Sequence, residues 1–284
     1  MRRSRDAERL VAMALREDLG RAGDITTRCF LPRGGRFSAV IRFKESGVLC
    51  GTRVVDAVFR KACPPARVRW LRRDGQGVRA GQVVARVEGP RGILTAERTA
   101  LNFLQKLSGM ATLTRRYADE TRGRARIYDT RKTLPGWRGL SKYAVRTGGG
   151  CNHRMGLYDM AMLKDNHISA LGTKAATLVR RFRRRHPGTP IEMEARNERE
   201  VRLALELGAD IIMLDNMSEA SLRRLIRLIR SKRPRVEVEV SGGVELRKVR
   251  RLALLKPDRI SVGRITHSAP ALDISMKLCP KSSD

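Results

Sequence analysis

Aromatic side chains make up only 4% of this 284-residue chain. Grooves that bind single-stranded nucleic acid use aromatic faces to stack bases. That scarcity, with no groove-reading helix motif, speaks against dedicated nucleic-acid recognition. Long apolar runs are also missing: nothing approaches the roughly 18 residues a membrane-spanning helix needs. The amino terminus, "MRRSRDAERLVAMALRED", is charged throughout with amphipathic spacing, which does not read as a signal peptide. Cysteines are few and odd in number, at five (Cys29, Cys50, Cys63, Cys151, Cys279), and no pair has zinc or redox spacing. Free thiols in a reducing cytoplasm are the expectation.

Negative charge is the other shortage. The chain has 29 Asp and Glu against 60 Lys and Arg, 48 of them arginine, for a formal net charge of +31. Much of the excess falls in runs such as "LVRRFRRRHPG" (178–188) and "LRRLIRLIRSKRPR" (222–235), where apolar residues recur at helical spacing and arginines fill the other face. Such faces are first of all solvated surface. A chain this basic also attracts anionic metabolites, lipid headgroups and nucleic acid. Non-specific nucleic-acid binding at low salt, fading steeply as salt is added, is expected as a side property.

What is present, at 41% hydrophobic residues, suffices for real cores. Residues 6–19 read as a helix ended by Gly20, with Asp24 as a cap or turn residue. Alternation of Phe37, Ala39, Ile41 and Phe43 predicts a strand. A short helix follows at 52–62, and short glycine-punctuated strands at 68–90. A long helix covers 93–121, with Gly109 as a bend. The pattern then changes. Short runs, read as apolar throughout, occur at 125–130, 159–165, 190–195, 210–215, 236–243 and 258–263, with helices at 171–186, 197–208, 218–232 and 244–255 between them. This is a β/α series with parallel strands covered on both faces. It fits an incomplete barrel, with a doubly wound open sheet as the competitor.

Each strand of the series ends in polar, charged or glycine residues. The tips are Asp129-Thr130-Arg131-Lys132, Lys164-Asp165-Asn166-His167, Glu194, Asp215, Ser241-Gly242-Gly243 and Gly263. In a β/α barrel these tips share one rim, and the active site lies there. The two glycine-bearing tips close the series, where backbone N–H groups and a helix start can cradle a phosphate. Glu194 and Asp215 suit an acid/base pair, a magnesium site, a hydroxyl clamp or plain ion pairs. His153 and His167 lack a second ligand at metal spacing.

The segments "REDLGRAGDITT", "LTAERTALNFLQKLSGMAT", "DTRKTLPG", "KYAVRTGGGCNHR", "MLKDNHI", "IEMEA", "MLDNM", "VEVSGG" and "SVGRITHSAP" resemble, in order and spacing over nearly the whole chain, quinolinate phosphoribosyltransferase. The resemblance implies an α/β fold: an amino-terminal α/β sandwich (1–110), joined by a carboxy-terminal helix (269–284), and an incomplete β/α barrel (111–268). It implies transfer of phosphoribosyl from phosphoribosyl pyrophosphate to quinolinate with loss of carbon dioxide, magnesium accompanying the sugar pyrophosphate, no organic cofactor, and dimers sometimes assembled into hexamers. Lys132, Lys164, Glu194 and Asp215 match the catalytic set, and Glu194 and Asp215 match the acids near the ribose and its metal. Arg131, Lys132, Arg154 and Lys164 match the cations for quinolinate and pyrophosphate, with His153 beside them. Arg98 matches an arginine supplied by the neighbouring subunit. Ser241, Gly242, Gly243 and Gly263 match the 5′-phosphate loops, with His267 close by. Trp137, Ser141 and Arg264 depart from the usual pattern. A pyrophosphorylase of the same fold, either molybdenum-associated or nicotinate-using, is the nearest rival. A basic nucleic-acid-binding protein is a remoter one. A carrier domain, suggested by the glycine-rich hairpin at 74–89, lacks the exposed lysine such hairpins use.

Overall fold

The computed structural model describes residues 2–280. In chain order its elements are α1 (Arg2–Leu19), α2 (Ile25–Phe30), β1 (Arg36–Phe43), β2 (Gly47–Val48), α3 (Thr52–Ala62), β3 (Arg67–Trp70), β4 (Gly77–Val78), β5 (Val83–Pro90), α4 (Gly92–Thr121) and β6 (Arg126–Tyr128). There follow α5 (Arg138–Thr147), β7 (Ala161–Leu163), α6 (Asp165–Leu171), a 3-10 turn, α7 (Ala175–Arg185), β8 (Ile191–Ala195), α8 (Glu198–Glu206) and β9 (Ile211–Asp215). The chain closes with α9 (Glu219–Lys232), β10 (Glu237–Ser241), α10 (Leu246–Leu254), β11 (Arg259–Ser261), α11 (Arg264–His267) and β12 (Ile274–Leu278). None of the described helices is long and apolar enough to cross a membrane.

Contacts divide the chain into two units. The first comprises residues up to 115, 133–149 and those from 265 onward; the second comprises 116–132 and 150–264. In the first, β12, β1, β5 and β3 form an antiparallel sheet in that order. The period-two pattern of β1 buries Ala39, Ile41 and Phe43. Helix α3 adds Val55, Val58 and Phe59 to the same core, and α4 adds Leu101, Leu104 and Leu107. Asp24 caps α2, its Oδ1 accepting the Thr27 N–H at 2.9 Å.

Three sequence expectations change here. The return segment after 269 is a strand, not a helix: Ile274 and Met276 are buried, Ser275 and Lys277 are not, and β12 pairs antiparallel with β1. The period of two outweighs any helical signal, and Pro270 and Pro280 bound the segment. Residues 281–284 of the expected helix lie outside the described residues. Residues 133–149 group with the first unit because Leu140 and Ala144 of α5 join its core. Gly109 does not interrupt α4; a methyl there would overlap the Pro270 carbonyl, so glycine permits close backbone approach.

In the second unit six parallel strands run in the order β6-β11-β10-β9-β8-β7. Each strand from β8 onward lies beside its predecessor, the last returns to β6, and β6 and β7 are left as edges. Residues 150–154 close much of that gap. Cys151 pairs in parallel with Tyr128, its N–H donating to Ile127 O at 2.7 Å and its carbonyl accepting the Asp129 N–H at 3.1 Å. The next residues reach β7, where Arg154 contacts Met160 O and Met162 Sδ. The sheet is thus rolled, with all strand tips at one rim.

The inner face corrects another expectation. In parallel register, Glu194, Met213, Glu239, Arg259 and Arg126 share a side, as do Glu192, Ile211 and Glu237. Strands read as apolar throughout carry charge on one side, with Ile211 and Met213 of β9 the apolar exceptions there. That side is a charged interior, in which Arg126 and Arg259 pair with Glu237. Arg259 also stacks 4.8 Å above the Tyr128 ring.

Candidate active site at the rim of the parallel sheet

Asp129, at the tip of β6, is fully buried. Its carboxylate accepts the backbone N–H of His153 at 2.8 Å and the Asn152 amide at 2.7 Å. This acid therefore fixes the segment that carries His153 and Arg154. The Arg154 guanidinium donates to Met160 O at 3.2 Å. Burial first, and then the nearby Arg131 cation, hold the Arg154 pKa below its ordinary value. The Nε of Arg131 is itself buried with no hydrogen-bond partner. Two forked cations that feel each other's charge, one with an unused donor, make a receptor for carboxylate or phosphate. Lys132 is exposed beside them, its backbone N–H bound to Thr130 Oγ1 at 3.1 Å.

Across the rim, Lys164 Nζ lies 2.5 Å from Glu194 Oε2, and Arg196 lies 3.2 Å from Oε1. Glu194 is almost fully buried and compensated at both oxygens. Asp215, on the adjacent strand and two residues nearer the rim, is half-buried and receives the Asn216 amide at 3.0 Å. Its register partner is Ser241. Gly242 and Gly243 follow with φ of 93° and 55°, in the left-handed region that favours glycine. A side chain at Gly242 would overlap Asn216, whose N–H binds Ser241 O at 3.1 Å. Gly263 follows β11, the neighbour of β10, so the two glycine tips leave from adjacent strands. Arg264 is exposed at the start of α11.

His153 is buried, and the protein engages both ring nitrogens. Nδ1 accepts the Arg154 N–H at 2.8 Å. Nε2 lies 3.1 Å from Glu192 and 3.5 Å from Glu239, both fully buried. Burial opposes protonation of the ring, but the two carboxylates outweigh it and push its pKa up to about 9. Burial, then Glu239, push Glu192 up as well. Among the described residues these three are the one group of ligand-type side chains close enough to hold a metal ion.

The second unit thus brings together Arg131, Lys132, His153, Arg154, Lys164, Glu194, Asp215, Ser241, Gly242, Gly243 and Gly263. Arg98 and His267 belong to the first unit. Arg98 is exposed on α4, and His267 Nδ1 lies 2.6 Å from Ser268 Oγ. Sequence reasoning missed Asp129 as the anchor of the His153 segment, Arg196 as the second partner of Glu194, and Glu192 and Glu239. The alternation in "IEMEA" and "VEVEVS" was the available signal for the two glutamates.

The model of the quinolinate phosphoribosyl transferase N-terminal domain matches residues 24–108, and that of the C-terminal domain matches 110–277. The chain is 39% identical over 292 residues to the chloroplastic nicotinate-nucleotide pyrophosphorylase [carboxylating] of Oryza sativa subsp. japonica, covering 96% of this chain and 78% of that protein. It is 39% identical over 274 residues to the enzyme of the same name from Mycobacterium leprae, covering 94% and 95%. The solved nicotinate-nucleotide pyrophosphorylase of Francisella tularensis superposes with a TM-score of 0.89 at 36% identity, covering 96% of each chain. Two domain matches spanning most of the length, the rolled six-stranded sheet and the cationic rim agree: the chain belongs to the quinolinate phosphoribosyltransferase family, decarboxylating enzymes of NAD biosynthesis.

Proposed function

We propose that this chain joins quinolinate to phosphoribosyl pyrophosphate at the rim of its parallel sheet, releasing pyrophosphate and carbon dioxide and leaving nicotinate mononucleotide. The observation that carries the reading is the corner where the Arg131 and Arg154 cations repel each other, with Arg131 Nε buried and unused. A dicarboxylate relieves that repulsion and supplies the missing acceptor. Bringing quinolinate beside a phosphorylated sugar is itself repulsive unless cations line the site.

In this reading Arg131 and Arg154 grip the quinolinate carboxylates, with His153 beside them. Lys132 and Lys164 face the pyrophosphate. Ser241, Gly242, Gly243 and Gly263 take the 5′-phosphate. The pyridine nitrogen attacks the anomeric carbon as the C–O bond to pyrophosphate breaks, and the preorganised cations stabilise the departing charge. The pyridinium so formed stabilises the electron pair left at the adjacent carbon when carbon dioxide departs, and a proton from solvent completes the product. Glu194 holds Lys164 in place, and Asp215 faces the ribose.

Magnesium fits this donor set. It binds through one or two carboxylates and keeps substrate oxygens and water as its other ligands. Asp215 would hold it directly, and Glu194, already compensated by two cations, would act beside it. The ion would supply further neutralisation of the pyrophosphate. A homodimer, with Arg98 of one copy completing the rim of the other, or a hexamer built from such dimers, follows from the family pattern. Five unpaired thiols suit a reducing compartment such as the cytoplasm. The deciding experiment incubates purified protein with magnesium, phosphoribosyl pyrophosphate and carboxyl-labelled quinolinate. Nicotinate mononucleotide and labelled carbon dioxide should appear together; neither forming, or nicotinate serving in place of quinolinate, refutes the proposal.

A further inference from the structure

Glu192 and Glu239 have no part in the chemistry proposed above, yet they are the two fully buried acids of the sheet interior. Neither carboxylate accepts an aligned hydrogen bond. Both point at one side chain, His153. An apolar pair filling the same volume is often at least as stable, so burial alone does not explain why acids stand here.

We propose that Glu192 and Glu239 are positioning residues: from the floor of the barrel they hold the Nε2–H edge of His153, which aims Nδ1 at the Arg154 backbone and sets the Arg154 guanidinium at the anion corner. Three observations converge on this. The ring bridges two elements, with β8 and β10 on its Nε2 side and the Arg154 N–H, at 2.8 Å, on its Nδ1 side. With Glu192 and Glu239 against Nε2 and the Arg154 N–H on Nδ1, His153 is placed to act through Arg154. The Arg154 side chain is fastened at its far end to Met160 and Met162 of the β7 edge, so its backbone and its guanidinium are both fixed before an anion arrives.

The same geometry argues for a proton rather than a metal at this cluster. A histidine ligating a metal through Nε2 normally carries its proton on Nδ1 and donates it. Here Nδ1 faces a donor, which leaves the proton on Nε2.

The inference rests on Arg154 being a ligand of a quinolinate carboxylate, and the test separates the two. Dissociation constants for quinolinate and, separately, for phosphoribosyl pyrophosphate are measured for Arg154→Ala, Glu192→Met, Glu239→Met and the corresponding Gln variants. The Met variants should weaken quinolinate on the order of tenfold, the size seen when the outer partner of a ligating histidine is lost. The sugar pyrophosphate should bind as before, and Gln, which can still accept the Nε2 proton, should restore part of the loss. Weakening in Arg154→Ala with no change in the Met variants overturns the inference; no change in Arg154→Ala removes the reading beneath it. The wild-type protein gives an independent decision if the variants fail to fold. With four histidines in the chain, 15N spectra should show the His153 proton on Nε2 and no response to added zinc or manganese. A proton-free Nε2, or a signal that shifts with metal, overturns the proposal.

Discussion

Replacing Asp129 by alanine removes two hydrogen bonds to a buried carboxylate, 2.8 Å from His153 N and 2.7 Å from Asn152 Nδ2. Bonds to a charged partner contribute roughly 1.5–3 kcal/mol each, and the stranded His153 N–H adds a desolvation cost, while losing a buried charge returns part of it. A net loss of about 3–5 kcal/mol is expected, a large share of the ~5–15 kcal/mol that holds a typical domain together. Asparagine should behave differently. Its carbonyl still accepts from His153 N–H, and a rotated Asn152 amide accepts from its NH2, so only the charge assistance is lost, about 1 kcal/mol. Urea unfolding followed by far-UV circular dichroism gives the two stabilities, and quinolinate affinity gives the state of Arg154. Alanine should weaken both strongly and asparagine neither by much. Equal losses in the two variants, or less than about 1 kcal/mol from alanine, would refute the claim that this carboxylate anchors the segment.

Arg131→Ala should lower kcat/KM by roughly 30-fold to a thousandfold, the range for losing a desolvated charge partner; near-normal turnover would count against its place at the anion corner. If Arg98 acts across subunits, mixing Arg98→Ala protein with Arg131→Ala protein should restore part of the activity as mixed dimers form. Absence of recovery despite confirmed exchange would end that idea. The pKa of His153, raised to about 9, and the raised pKa of Glu192 mean that the folded chain holds more protons than the unfolded one. The histidine's contribution is complete below its ordinary value of about 6.5 and fades as pH climbs through about 9. Thermal unfolding between pH 6 and 9 should therefore show a steeper decline for the wild type than for His153→Asn; parallel curves would contradict it.

The rim was legible because its chemistry sits where strands stop. Arg131, Lys164, Glu194, Asp215 and Ser241 each follow an apolar run, and parallel order alone sends them to one edge. The floor beneath was harder to see. Glu192 and Glu239 sit inside strands, and a run such as "IEMEA" reads as simply apolar unless its period of two is taken literally and a charged barrel interior is allowed. Asp129 stood in the open as a tip residue, yet its partners come from 23 and 24 positions further on, a distance local pattern does not cover. Helix α5 was missed because "RGLSKYAVRT" offers few apolar positions, and its place in the first unit depends on Leu140 and Ala144. The final strand was expected as a helix on the resemblance alone, and its five residues are too few for periodicity to decide between the two.

The pairing of Cys151 with Tyr128 reaches beyond geometry. An unpaired strand flank invites other chains to add to it, and here that flank is occupied by the stretch that also presents Arg154. Whatever loosens the pocket therefore bares a sticky margin, and whatever fills the pocket guards it. Substrate should accordingly act as a shield against self-association on heating, out of proportion to the few side chains it touches.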